Sequence, residues 1–359
     1  MIGGSSAQAE LATLASWADQ ASPISSDERE ARIERARRLM AQHGIDALLV
    51  GAGPSLAYFT GIGWGMIERL VAMLLGPDGR RWIVCPAFEA GSLQAVLGIP
   101  DIRLLLWEEH EDPSQRIVEA LREIGGATLA IDPTLPFGMV ERLRKAAPSA
   151  TLVDAAPVTD GCRAIKSPAE LALMRQAKQM TLEVHRRVAR ILAPGIRASE
   201  VAAFIDAAHK AVGSRGSTFC AVQFGASSAY PHGLPGDDVL REGDMVLIDT
   251  GCSVQGYQSD ITRSYVFGTP DDEQRRIWAI EREAQQAAFD AVRPGLPARR
   301  SMRSRGACSN ATASAPATRC RACRTAPATE SGSASTRRPI WLAGTLRRFG
   351  PACASPTSR

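Results

Sequence analysis

The sequence predicts an α/β domain followed by an α+β domain, and three observations carry that prediction. The 359 residues leave room for two domains of about 150 residues each. Short β-rich runs alternate with helical patterns as far as about residue 155. Beyond residue 168 the order changes, with two long helices leading into a run of strands.

In the first unit, residues 28–44 set Ile33, Ala36, Leu39 and Met40 on one helical face and stop at Gly44. Strands are expected at Ala47–Val50, Leu70–Leu75, Trp82–Cys85, Ile102–Leu106 and Thr128–Ile131, with helices near 87–97 and 113–124. Gly61, Gly63 and Gly65 lack the spacing and the strand-turn-helix context of a dinucleotide loop, so they read as turn glycines. A boundary falls near 155–168. There Ser167-Pro168-Ala169-Glu170 forms a capping box with proline at the first helical position, opening a helix to about Leu192. Pro194-Gly195 breaks it, and Ser199 is expected to cap a second helix running to about Val212. Strands at Phe219–Phe224, Met245–Asp249 and Ile261–Phe267 follow.

Composition excludes several classes. Apolar residues at 45% and charged residues at 22% are globular values, and no apolar run reaches the roughly 18–20 residues of a membrane span. The N-terminus lacks the basic start and apolar core of a secretory signal, so a cytoplasmic setting is expected. The net charge of +4 averages two unlike parts: residues 299–359 hold twelve arginines against Glu330 alone, a net +11, which leaves −7 for the rest. Cys85, Cys162, Cys220 and Cys252 lie scattered through that acidic body, as in an enzyme of a reducing compartment.

The chemistry concentrates at residues 241–263. Asp249 closes an apolar strand, and Asp260 stands eleven residues later at the start of the next. A hairpin of that length brings both carboxylates to one end of a sheet. Adjacent carboxylates repel unless one is protonated or a cation lies between them, and hard divalent ions favour such ligands. Spacing alone equally allows two turn residues capping backbone amides. His232 lies in a Gly/Pro-rich loop, where a histidine is either displayed for function or simply solvated. His185 and His209 read as partly exposed helix residues.

The Ile248-Asp249-Thr250-Gly251 segment, followed by Ser259-Asp260-Ile261-Thr262-Arg263, with His232 and the Ser167-capped helix before it, resembles the pita-bread metallopeptidases. That family includes aminopeptidase P and prolidase, with creatinase as a metal-free relative. The resemblance covers about residues 30–298, including Leu56–Gly61, and implies a creatinase-like α/β N-terminal domain over 28–160. Residues 1–27 would be an N-terminal extension, and 161–298 an incomplete α+β pita-bread catalytic domain. It further implies an Xaa-Pro dipeptidase or aminopeptidase using two divalent ions, usually Mn, on a dipeptide or short peptide substrate. Asp249 and Asp260 would be metal ligands, His232 a substrate-contacting histidine, and the assembly a homodimer. Two other readings stand beside it: a metal-free chain binding a peptide or partner, and a non-peptide C–N hydrolase of the creatinase or ectoine-hydrolase type.

The family site also needs a histidine in an H-x-x-G-H-G-[IL]-G stretch and two later glutamates, and no histidine follows residue 298. The tail is nearly all Arg, Ala, Ser, Thr, Pro, Cys and Gly, the residues of GC-rich codons, with neither helical nor strand period. Read one frame over, Cys323–Leu342 permits PHRTGHGIGLSIHEAPYLV, and Arg347–Arg359 permits PLRPGMCFSNEP. The ordered matches point to a coding-frame break near residue 299. On that reading residues 299–359 form no packed domain, Cys320 and Cys323 are no metal motif, and the arginines serve no nucleic-acid role.

Overall fold

A computed structural model describes residues 2–18 and 20–296. The described residues divide into two compact units, Ile24–Ile165 and a second formed by the segment before Ile24 with the chain from Lys166 to Leu296. The tail from residue 299, with Cys320 and Cys323, lies outside the described residues, and so does the expectation that it forms no packed domain.

The N-terminal segment carries α1 (Ala7–Ala12) and belongs to the second unit. Its backbone bonds to the end of the long helix through Gly3 N–H to the Ala189 carbonyl (2.8 Å), and Gln176 Nε2 donates to the Trp17 carbonyl (2.6 Å).

In the first unit, α2 (Ser26–Gln42) starts where the Ser25 hydroxyl accepts the Glu28 N–H. Strand β1 (Ala47–Gly51) is buried at every residue, as a strand covered on both faces must be. After α3 (Pro54–Thr60) come β2 (Ala72–Leu75), β3 (Arg81–Pro86), the short α4 (Ala90–Gln94) and β4 (Ile102–Trp107). Then follow α5 (Ser114–Ile124), β5 (Thr128–Ile131), α6 (Phe137–Ala146), β6 (Thr151–Asp154) and α7 (Ala156–Arg163). The strands form one mixed sheet in the order β4-β3-β2-β1-β5-β6. Strand alternation sorts the core into two layers. Leu48, Val50, Met73, Leu75 and Ile83 pack with residues of α2, α3 and α7, whereas Leu49, Leu74, Trp82 and Val84 pack with α5 and α6. Gly61 ends α3 in the left-handed conformation (φ 82°), a turn glycine as expected. The sequence reading omitted α3, α6, β6 and α7. Strand β6 carries no fully buried residue, so its hydrophobic signal is weak.

In the second unit, α8 (Pro168–Ile191) opens with the expected capping box. The Ser167 hydroxyl accepts the Glu170 N–H (3.1 Å), and the Glu170 carboxylate accepts the Ser167 N–H (2.8 Å). Helix α9 (Ala198–Ala211) begins one residue before Ser199, which corrects the expected cap. Ser199 instead gives its N–H and its hydroxyl to the Asp237 carboxylate (2.9 and 2.7 Å). The antiparallel sheet follows: β7 (Ser217–Phe224), β8 (Met245–Val254), β9 (Tyr257–Gln258) and β10 (Ile261–Val266), in the order β10-β8-β7 with β9 on the far end of β8. Leu173, Ala177, Met180, Val184 and Val188 form the buried stripe of α8. Helix α10 (Asp272–Ala291), also omitted by the sequence reading, buries only Ala284. Among the described residues, no helix is long and apolar enough to cross a membrane.

Candidate metal centre

The β8–β10 hairpin keeps one register from end to end. Asp249 pairs with Thr262 and Thr250 with Ile261; past the turn, Ser253 pairs with Gln258 and Val254 with Tyr257. Continuing that register through the gap sets Ser259 opposite Cys252 and Asp260 opposite Gly251. Side chains alternate along a strand, so Asp249, Gly251, Asp260 and Thr262 fall on one face and Thr250, Cys252, Ser259 and Ile261 on the other. The second group is buried throughout. The first opens outward: Asp249 is half-buried, and Asp260 and Thr262 are exposed.

The Thr262 hydroxyl donates to Asp249 Oδ1 (2.9 Å), which orients that carboxylate. Thr262 was not singled out in the sequence, although its spacing two residues beyond Asp260 puts it in the same row. Lys178 on α8 lies near enough to Asp260 to feel its charge. Burial pushes the Lys178 ammonium down, and the Asp260 carboxylate opposes that shift. A nearby cation offsets part of the repulsion between two carboxylates. His232 sits in an exposed turn where the Gly233 N–H bonds the Tyr230 carbonyl (3.1 Å). That turn follows a short 3-10 segment, Gly225–Ala229, after β7.

His185 and His209 are buried, which corrects the expectation of partial exposure. His185 Nε2 bonds the Ile261 carbonyl (2.9 Å), tying α8 to β10. His209 lies between Thr181 (Nε2, 3.1 Å) and Ser217 (Nδ1, 2.9 Å). Burial pushes both imidazoles down to about 4, so they are neutral near pH 7. Cys85, Cys162 and Cys252 are buried free thiols.

Gly251 is where the hairpin is tightest. A Cβ added there would stand 2.0 Å from the Ser259 carbonyl oxygen and 2.8 Å from the Phe219 ring. The nearer obstacle is backbone, so it does not move cheaply. Gly251→Ala is therefore expected to destabilise the second unit by about 1–3 kcal/mol, the usual range for overpacking. Thermal unfolding measures it, and a midpoint equal to that of the parent would refute the close approach.

The chemistry of the donors fits a hard divalent cation in part. Two carboxylates in one row supply oxygen ligands of the right kind. Among the described residues, however, no group of three or more His, Cys, Asp or Glu side chains gathers to hold a metal ion.

Comparison with known proteins settles the kinship. Residues 172–303 match the pattern of metallopeptidase family M24, and residues 32–165 that of the creatinase/prolidase N-terminal domain. A probable dipeptidase, PepE, of Mycobacterium bovis is 34% identical over 270 residues, covering 74% of this chain and 71% of the relative. The chain belongs to metallopeptidase family M24. Another relative, the Xaa-Pro dipeptidase of Pyrococcus horikoshii, is 26% identical over 269 residues, covering 75% of this chain and 73% of that one. The crystal structure of the dipeptidase PepE from Mycobacterium ulcerans superposes with a TM-score of 0.73 at 29% identity, covering 81% of this chain and 78% of that one. The architecture is thus a creatinase-like N-terminal domain and an M24 pita-bread domain, the second described here only as far as residue 296.

Proposed function

We propose that this chain derives from a metal-dependent dipeptidase that cleaves the bond preceding proline, and that as written it lacks turnover. The observation that carries the reading is the pairing of Asp249 with Thr262, two residues beyond Asp260, and the Thr262 hydroxyl bonded to the Asp249 carboxylate. The likeness to a relative named Xaa-Pro dipeptidase supports the substrate class, a dipeptide or short peptide. In this reading Asp249 and Asp260 hold divalent cations, with Mn as the favoured ion, and Thr262 fixes the Asp249 carboxylate. When bound, such a metal pair supplies a hydroxide nucleophile and stabilises charge developing on the scissile carbonyl. His232, displayed on its exposed turn, hydrogen-bonds the substrate. The remaining ligands, one histidine and two glutamates, lie in the alternative frame after residue 298. The natural setting of the in-frame protein is a cytoplasmic homodimer.

A Mn2+ titration of the frame-restored chain tests the ligand assignment. Asp249→Asn and Asp260→Asn are each expected to weaken binding by roughly 100-fold or more, since even the outer hydrogen-bond partners of metal ligands are worth about 10–100-fold. Unchanged affinity in both variants would remove the two aspartates from the site.

A further inference from the structure

The register that unites β8 with β9 and β10 is unbroken, yet the ladder itself is interrupted at Ser259 and Asp260. An antiparallel pair facing each other across a narrow ring exchanges two backbone bonds. At Cys252 and Ser259 only one of these is made: the Ser259 N–H donates to the Cys252 carbonyl (2.9 Å). The Cys252 N–H goes instead to the Ser259 hydroxyl (2.8 Å). Released from the ladder, the Ser259 carbonyl bends over Gly251 and fills the space where any other residue would carry its Cβ. The peptide that bends is the one joining Ser259 to Asp260.

The hydroxyl that permits this is held from behind. Ser259 Oγ lies 2.7 Å from Thr181 Oγ1 on α8, and Thr181 Oγ1 lies 3.1 Å from His209 Nε2 on α9. His209 Nδ1 reaches Ser217 Oγ on β7 (2.9 Å). Ser259, Thr181 and His209 are all fully buried. The proton count closes for a neutral imidazole. With the proton on Nδ1, His209 donates to Ser217 and accepts from Thr181 at Nε2. Ser259 Oγ accepts the Cys252 N–H and has both Thr181 Oγ1 and the Cys252 carbonyl (3.2 Å) as acceptors for its own proton. A satisfied buried chain of this kind rigidifies what it touches. Here it joins two helices and the strand pair to one peptide unit.

We infer that Ser259 is a positioning residue for Asp260. Its buried hydroxyl, anchored by Thr181 and His209, replaces a ladder carbonyl and so sets the bend that aims Asp260 relative to Asp249. Gly251 is the complementary half of the device, leaving room for the displaced carbonyl. A regular ladder through Ser259 would give Asp260 a different backbone direction and a different reach toward its partner carboxylate. The functional meaning rests on the reading of Asp249 and Asp260 as a ligand pair, but the geometry does not.

The test is a set of crystal structures of the full chain without added metal: the parent, Ser259→Ala, Ser259→Thr and Thr181→Val. Ser259→Ala removes the substitute acceptor. The residue 259 carbonyl is then expected to return to the Cys252 N–H, and the Asp260 carboxylate to shift relative to Asp249 by more than about 0.5 Å, the tolerance of a preorganised site. Ser259→Thr keeps the hydroxyl and is expected to retain the parent separation, a rescue that loss of packing alone would not give. Thr181→Val cuts the anchor and should move Asp260 in the same direction by less. If Ser259→Ala folds and leaves both the bend and the Asp260 position unchanged, the inference fails. Should that variant not fold, Thr181→Val decides: a displaced Asp260 supports the inference and an unmoved one overturns it. Failure in these metal-free structures leaves the ligand assignment standing, and a failed Mn2+ titration leaves the positioning intact.

Discussion

Given Mn2+ and a simple Xaa-Pro dipeptide, the chain as written is expected to hydrolyse it no faster than buffer does. The same chain returned to the alternative frame after residue 298 is expected to turn over in the ordinary enzymatic range, roughly 1–1000 per second. The argument is one of ligand number. Two metals sharing a nucleophilic oxygen need a closed set of side chains to fix their spacing and to lower the pKa of the bound water. The hairpin offers Asp249 and Asp260, and among the described residues no cluster of three metal-binding side chains exists. With two carboxylates, at least one ion is essentially unheld and the nucleophile is not assembled. The hairpin is also open there, with Asp260 and Thr262 exposed, and elsewhere in the unit Ile277, Trp278 and Phe289 of α10 are between 39% and 50% exposed. Uncovered strand faces and apolar helix residues of this kind favour self-association. The measurement compares both chains at equal concentration on one dipeptide. Comparable rates would mean that the ligands come from elsewhere and that the reading of the tail is wrong.

Much of this was legible in the residues, and what escaped has identifiable causes. The Ser167 capping box announced α8 because both halves of the motif are local in sequence. The all-buried strand β1 announced itself through an unbroken apolar run. Ser199 misled because its preferred partner, Asp237, is 38 residues away, so a residue typical of caps became the recipient of another side chain's cap. Thr262 was readable in principle, being two residues from Asp260 on the same row. Ser259 was not. Its role depends on Thr181 and His209, which reach it from two different helices, and no periodicity in one segment encodes that meeting. His185 and His209 escaped for a related reason. Each borders its helix's apolar stripe, and whether such a residue is buried depends on how broadly the sheet packs against that helix.

That burial has a consequence for stability in acid. The urea midpoint of the second unit is expected to hold steady above about pH 7.5 and to fall as the pH drops toward 5. In the unfolded chain His185 and His209 titrate near the ordinary histidine value of about 6.5. In the folded chain burial pushes both down to about 4. For His185 the Ile261 carbonyl works against that shift and the Arg263 guanidinium adds to it. For His209 the neighbouring His185 adds to it and Asp206 works against it. Between about pH 6.5 and 4 the unfolded state therefore binds more protons than the folded one, so stability rises with pH across that window and is lost as pH falls through it. Gaps of this size correspond to about 2 kcal/mol per histidine at pH 5 relative to pH 7.5. The cost has a structural cause. Protonating His209 gives it two donors facing Thr181 and Ser217, which forces the Thr181 hydroxyl to donate away from the ring, to Ser259 or to the more distant Cys252 thiol. Protonating His185 places a second charge beside Arg263 in a buried setting. Replacing either ring with Gln removes one titrating group, so His185→Gln and His209→Gln should each flatten the profile by about half, whatever they do to stability at pH 7.5. Midpoints that are equal at pH 7.5 and 5.0 in the parent, or a slope that survives in the double variant, would show that the two imidazoles are not the groups held neutral by the fold.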